Sequence, residues 1–311
     1  MRVTGNSFTS SLMDQLNLLA SRQYRLQNQV STGQRITAPE DDPAAMQQVL
    51  NLRADEQTQQ QYSSNIANLQ DRANASYSAI QALQKISTRV GEIATLADGT
   101  KSPTELKSYA TELTQLIKQA VDVLNGKENG SYLFGGTASG RPPFSITTDA
   151  DGNVTGVTYN GNTSVTAADI GNGVSVSVDV PGANTTGSGP RGLVTDSRTG
   201  ADFFNHLISL QNHLLANDTA SIASTDRPAL SKDEDNILFQ VSNNGASQTR
   251  LDAAASAANA TSTSIDKQIS NKADADLTDT IVKLNQAQNS YQAALQSSAK
   301  ILQMSLMNYL Q

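Results

Sequence analysis

Apolar residues recur at spacings of three and four at both ends of the chain, and the two stripes are alike. Near the N-terminus Leu12, Leu16, Leu19, Leu26 and Val30 share one heptad seam, interrupted by Gln23. Near the C-terminus Leu277, Ile281, Leu284, Tyr291, Leu295 and Leu302 share another, interrupted by Gln288 and Ser298. Such a stripe runs along one side of a helix and needs a partner helix to cover it. Either the chain folds back on itself or its ends assemble with other subunits. The pattern reads as a structural protein before any chemistry is considered.

The first helix is expected from Phe8 to Thr32, with Gly33 at its C-terminal stop. Gln34–Glu40 reads as an irregular connector containing Pro39. Asp42 then supplies an N-cap, and Pro43 takes the first helical position, where its missing N–H costs nothing. From Ala44 to about Ala97, helical spacing is kept by Met46, Leu50, Ile66, Leu69, Ala73, Ile80, Leu83, Val90, Ala94 and Ala97. Unbroken, that helix is ~80 Å long, which suggests a rod. After Gly99, the stretch from Ser102 through Pro103 to Glu105 forms a capping box. Leu106, Ala110, Leu113, Ile117, Ala120 and Leu124 follow as an antiparallel partner, stopped by Gly126.

The character changes at residues 127–200, which are rich in Gly, Thr, Asn, Val and Pro. Val154–Tyr159 alternates and meets Asn160-Gly161, a hairpin signal. Val174, Val176, Val178 and Val180 alternate as a half-buried strand should. Pro181–Pro190 reads as a loop, and Phe203–Leu215 as a short amphipathic helix. Ser231 and Glu234 form a second capping box, opening a helix whose thin seam runs through Val241, Leu251, Ala255, Ala258, Ile265 and Ile269. A phase break at Asn271–Asp276 precedes the C-terminal helix.

The expected fold is mainly α: long antiparallel helical rods, paired terminal coiled-coil helices and an inserted β-rich outer domain. The segments are 1–40 (terminal helix and connector), 41–139 (rod), 140–230 (insert), 231–272 (rod) and 273–311 (terminal helix). The insert reads as self-contained, so exchanging Gly140–Arg227 for a short linker is expected to leave the rods folded.

Composition narrows the function. The net charge of -7 offers no basic face for nucleic acid. Apolar runs fall far short of the ~20 residues that span a bilayer. With 0 cysteines there are no disulfides and no thiolate chemistry. Met1–Phe8 has one Arg and no apolar core behind it, so no signal peptide is expected and export would use another route. An apolar C-terminal cluster, including Ile301, Leu302, Leu306, Tyr309 and Leu310, would be exposed on a lone monomer, which favours burial between subunits.

Candidate chemistry is thin. His206 and His213 are seven apart, whereas metal pairs are usually three or four apart, so both read as ordinary surface or partly buried residues. Asp149–Asn153 opens like a calcium loop, but Asn160 stands where a bidentate Glu is needed, so it reads as a turn. Asp233-Glu234-Asp235 reads as charge favouring a helix N-terminus. Gly135-Gly136 lacks the lysine of a phosphate cradle, and no nucleophile elbow or zinc-protease motif is present. Nothing here supports an enzyme, a metal or a cofactor.

The stretch Gln29-Val30-Ser31-Thr32-Gly33-Gln34-Arg35-Ile36, followed by Glu40-Asp41-Asp42-Pro43-Ala44-Ala45, resembles the N-terminal signature of the bacterial flagellin family. Ala275-Asp276-Leu277 and the Gln- and Ala-rich helix after it resemble the family's C-terminal region. Within the family, Pro43, Tyr132–Thr137 with Pro143-Phe144, and the ending Gln303–Leu310 look more like the hook-filament junction than like filament subunits. The resemblance spans roughly residues 1–145 and 232–311.

It implies a non-enzymatic adaptor, exported through the flagellar type III apparatus and self-associating in a ring between a hook-side junction protein (flagellar hook-associated protein 1) and the flagellin filament. It also implies an export chaperone on the C-terminal region, with no nucleic acid and no membrane insertion. Subunit contacts are expected from Leu12, Leu16, Leu19, Leu26, Val30, Leu284, Tyr291, Leu295, Leu302, Leu306 and Leu310. The alternatives are a minor filament flagellin or a flagellin-like surface adhesin.

Overall fold

A computed structural model describes residues 4–310, and the chain is mainly α-helical. It divides into two compact units. One joins the stretch up to Gln59 with the stretch from Ala260 onward, and the other is Gln60–Asn259. Two long helices, α2 (Pro43–Leu96) and α6 (Arg227–Ala273), supply residues to both.

In the first unit α1 (Thr4–Thr32) packs against α7 (Leu277–Leu310). Gly33 ends α1 with φ 71, a left-handed conformation that glycine adopts without a Cβ penalty. Its carbonyl accepts from the Ala275 N–H at 2.8 Å, just before α7 begins. The end of α1 thus lies beside the start of α7, and the two helices run antiparallel. Asp42 accepts from the Ala45 N–H at 3.0 Å where α2 starts. In the first turns of α2 the buried residues are Ala45 and Val49, while Leu50, expected inward, is exposed.

In the second unit α2 is followed by α3 (Pro103–Leu124). Ser102 accepts from the Glu105 N–H, and the Glu105 carboxylate accepts from the Ser102 N–H at 2.9 Å, so both orphan donors are met. Arg89 of α2 grips Glu112 of α3 with two hydrogen bonds, 2.7 and 3.1 Å. The chain then forms β1 (Lys127–Glu128) with β2 (Ser131–Tyr132), and β3 (Phe144–Thr148) with β4 (Val154–Tyr159). Next come β5 (Ala168–Gly171) with β6 (Val174–Val176). The last sheet is β7 (Ala183–Asn184), β8 (Thr195–Asp196) and β9 (Ala201–Asp202). β7 and β8 are parallel, and the other pairs are antiparallel.

Two strand expectations are corrected. Asn160-Gly161 is not the hairpin turn, because β4 pairs backward with β3, Phe144 opposite Tyr159. The turn is Asp149–Asn153, where the Asp149 carboxylate accepts from the N–H groups of Asp151 and Asn153 at 3.0 and 2.8 Å. Gly161 serves another need: a Cβ there would lie 2.4 Å from the Tyr159 ring. The Val174–Val180 alternation also fails as one strand. Val174 is exposed, Val176 and Val178 join one core cluster, and Val180 joins another. Beyond the end of β6, Asp179 turns its carboxylate to Arg72 and to the Thr166 N–H.

Helix α4 (Phe203–Ala216) packs against α3, with Leu207, Leu210 and Leu214 meeting Leu113, Ile117 and Leu124 in one core. That core also takes Phe134, Phe144, Val154 and Leu193 from the β-rich segment. The inserted residues are therefore packed into the helices rather than self-contained.

Ser231 and Glu234 do not cap a helix. Helical backbone is already running, from α5 (Thr219–Ser221) through a π-helical turn at Ile222–Asp226 into α6. Asp218 is the cap, accepting from the Ser221 N–H at 3.0 Å. Pro228 explains the π turn. It has no N–H, and its ring crowds the carbonyl four residues back. The widened turn, closed by the Arg227 N–H to the Ile222 carbonyl, accommodates it.

Candidate assembly surface

The faces of α1 and α7 that meet are not both those of the sequence seams. On α1 the more covered positions include Leu12, Leu16, Leu19, Gln23, Leu26 and Val30, the expected frame. On α7 they include Thr280, Leu284, Ala287, Tyr291, Ala294 and Ser298. This frame shares Leu284, Tyr291 and Ser298 with the expected one, but alternate positions are displaced by one residue. Small side chains at Thr280, Ala287 and Ala294 let the helix axes approach. The larger Leu277, Ile281 and Leu295 are left 43–47% exposed. These three recur within about 40° around the helix, at 100° per residue, so they form a second apolar stripe.

On α1 Met13 and Tyr24 are 60% and 71% exposed and lie three turns apart on one side. Leu18 and Val282 are exposed elsewhere on their helices. Of the residues expected at subunit contacts, Leu12, Leu16, Leu19, Leu26, Val30, Leu284 and Tyr291 line the pairing within the chain, and Leu295 faces outward. The side chains of Leu302, Leu306 and Leu310 lie outside the described residues.

The connector after α1 is tied to the end of α6 and the start of α2 by several hydrogen bonds. Arg35 donates its N–H to the Ala273 carbonyl at 2.6 Å, and Gln34 pairs with Asp274. The Arg35 guanidinium donates to the Lys272 carbonyl at 2.8 Å, in the last turn of α6, and also reaches Asp42 at 3.4 Å. A cation thus sits at one helix C-terminus and a carboxylate at the next N-terminus, each where the helix dipole favours it. Asp41 accepts from the N–H groups of Thr37 and Ala38 and holds the bend, and these bonds keep its carboxyl below the usual range. Pro43 opens α2, and Ile36 is buried beneath the bend. Arg35 was not singled out by sequence reasoning; the signal was a lone Arg after a helix-stopping Gly.

Among the described residues no group of three or more His, Asp or Glu is placed to hold a metal, and no helix is long and apolar enough to cross a membrane. Both histidines are partly buried, as expected, and each meets a carboxylate that their spacing did not announce. His206 Nδ1 lies 2.7 Å from the buried Asp233, and His213 Nδ1 lies 2.6 Å from the buried Asp226. Asp233 is therefore no N-terminal charge but a buried partner. Ser209 donates to Asp226 at 2.8 Å, so the carboxylate stands between hydroxyl and ring. A nucleophile relay needs the hydroxyl on the imidazole itself.

Two family models match the chain: the bacterial flagellin N-terminal helical region over residues 3–139, and the C-terminal helical region over residues 235–310. Flagellar hook-associated protein 3 of Salmonella typhimurium is 27% identical over 146 residues, a match spanning 46% of this chain and 46% of that protein, so less than half of the relative's length is covered. Among solved structures, a flagellar hook-associated protein from Vibrio parahaemolyticus superposes with TM-score 0.63 at 19% identity, covering 75% of this chain and 100% of that one. Flagellar hook-associated protein 3 from Legionella pneumophila gives 0.59 at 15% identity, covering 72% and 98%. These structural likenesses are of fold. The helices that the two family models cover carry the paired ends and the Arg35 connector, and together the models account for more than half of the sequence. The chain belongs to the bacterial flagellin family.

Proposed function

We propose that this protein is a structural adaptor of the bacterial flagellum, polymerising as a ring at the hook-filament junction between hook-side flagellar hook-associated protein 1 and the flagellin filament. The reading rests above all on the paired ends: α1 and α7 cover one face of each other while Leu277, Ile281, Leu295, Met13 and Tyr24 remain outside. Helices with a second uncovered apolar stripe gain stability by packing against neighbours in an assembly. The names of the relatives support the junction rather than the filament.

On this reading the chain leaves the cell through the flagellar export apparatus and works outside it, escorted by a chaperone on its C-terminal region. It acts as a structural element and not as a catalyst. Subunit contacts are made by the outward residues and by the C-terminal cluster with Leu302, Leu306 and Leu310. The segment 140–230 is a β-rich outer domain, flanked by helical segments 41–139 and 231–272, with 1–40 and 273–311 as terminal helices.

Gold-labelled antibody on isolated hook-filament structures tests this. A single band at the hook-filament border is expected. Label along the whole filament would instead make the protein a minor flagellin.

A further inference from the structure

The chain has 2 histidines and 0 cysteines, and both histidines sit on α4 facing buried carboxylates. The two pairs form a ladder. Stepping seven residues forward along α4, from His206 to His213, corresponds to stepping seven back, from Asp233 to Asp226. The rungs therefore join α4 to α6 and to the π turn before it, two helical turns apart. Asp226 also takes the Ser209 hydroxyl, and Asp233 takes the Asp202 N–H at 2.8 Å.

We infer that the His206–Asp233 rung makes the hold of α4 on α6 pH-dependent, tight when the imidazole carries its proton and looser when it does not. Asp233 is 1% exposed, and a charge that deeply buried needs a partner of opposite sign. His206 is the cation placed on it.

The surroundings of the ring favour this sign, while burial pushes the Asp233 carboxyl up and the His206 hydrogen bond opposes that rise. The hydrogen bond to Asp233 raises the His206 pKa above its ordinary 6.5, burial opposes, Asp202 in the strand before α4 adds to the rise, and Lys232 on α6 subtracts from it. Asp218, in the turn after α4, lies toward the other rung at His213. From α3 and β4 the polar contacts to α4 are neutral: Thr114 and the Val154 carbonyl, both on Gln211. A folded pKa above the unfolded one stabilises fully below the unfolded value, and the gain is lost as pH rises through the folded value. The response therefore starts near pH 6.5 and runs upward.

The experiment is amide exchange of Phe203–Ala216 in the full chain at pH 6 and pH 9, corrected for intrinsic rates. The opening constant of α4 is expected to be higher at pH 9 than at pH 6 in the native chain. His206→Gln, which keeps a polar side chain but cannot charge, is expected to lose most of that response. An unchanged native opening constant, or a response in His206→Gln equal to the native one, overturns the inference. If the variant does not fold, the His206 titration by NMR decides. A native midpoint at or below that of the urea-unfolded chain overturns it, and one above supports it.

Discussion

Two substitutions on α7 separate the face used within the chain from the face proposed for assembly. Ala287 is 6% exposed in the seam with α1, close to Leu19, whereas Ile281 is 45% exposed. Ala287→Leu adds three carbons where the helices touch. Overpacking of this kind typically costs about 1–3 kcal/mol, and here it must push α1 from α7. Ile281→Ser removes a side chain already half in water. Within one molecule its effect is expected within about 0.5 kcal/mol, as for most surface changes. In an assembly that covers it, the same side chain is worth ~1.5–3 kcal/mol when fully buried. Denaturant unfolding, followed by amide exchange in α1, reads the first effect. Swimming, and incorporation into isolated hook-filament structures, read the second. Ala287→Leu should weaken the isolated chain, and Ile281→Ser should leave it intact yet impair incorporation. The reverse ordering, with Ile281→Ser destabilising the monomer and Ala287→Leu harmless, would refute the frame assigned to α7.

Other perturbations follow the same logic. Gly33→Ala forces a Cβ into a left-handed position and is expected to cost about 1–2 kcal/mol, read as faster exchange at the end of α1. Ser102→Ala removes the α3 cap and should cost about 1 kcal/mol in urea unfolding, while Ser231→Ala, within a running helix and exposed, should be neutral within about 0.5 kcal/mol. Replacing residues 140–227 by a Gly/Ser linker takes away Phe203, Leu207, Leu210 and Leu214 and bares Leu113, Ile117 and Leu124. We therefore expect loss of cooperative unfolding, measured by circular dichroism, instead of the intact rods that composition alone suggested.

What was legible in the sequence was what is set within a turn or two. The starts of α2 and α3 and the stop of α1 depend on residues three or four apart, such as Asp42 with Ala45. The phase of α7 was not legible, because apolar counting ranks Leu277 and Ile281 above Thr280 and Ala287, whereas close helix approach favours the small ones. The start of α6 was misplaced because Ser231 and Glu234 imitate a capping box while a π turn carries the helix through. The His–Asp rungs were hidden because they depend on the register of α4 against residues 13 and 27 positions away. The amide row on α6 was hidden for a similar reason. Asn236, Gln240 and Asn244 carry no apolar signal, yet they donate to the carbonyls of Leu193, Arg191 and Ala73. Irregular backbone needs such donors, and no periodicity announces it.

The Arg35 connector bears on the order in which the molecule forms. Its bond to Lys272 joins positions 237 apart. Closing so long a flexible loop costs ~2.4 kcal/mol more than closing one of 15 residues, on logarithmic scaling. A chain that forms from its N-terminus offers the Arg35 guanidinium only the nearby Asp42 until residue 272 has emerged. The α1–α7 zipper starts at that same point, so it closes late, after local elements such as α3 and the β3–β4 hairpin. Until then the apolar sides of both terminal helices stay open, and the interval before closure is when another helix can compete for them.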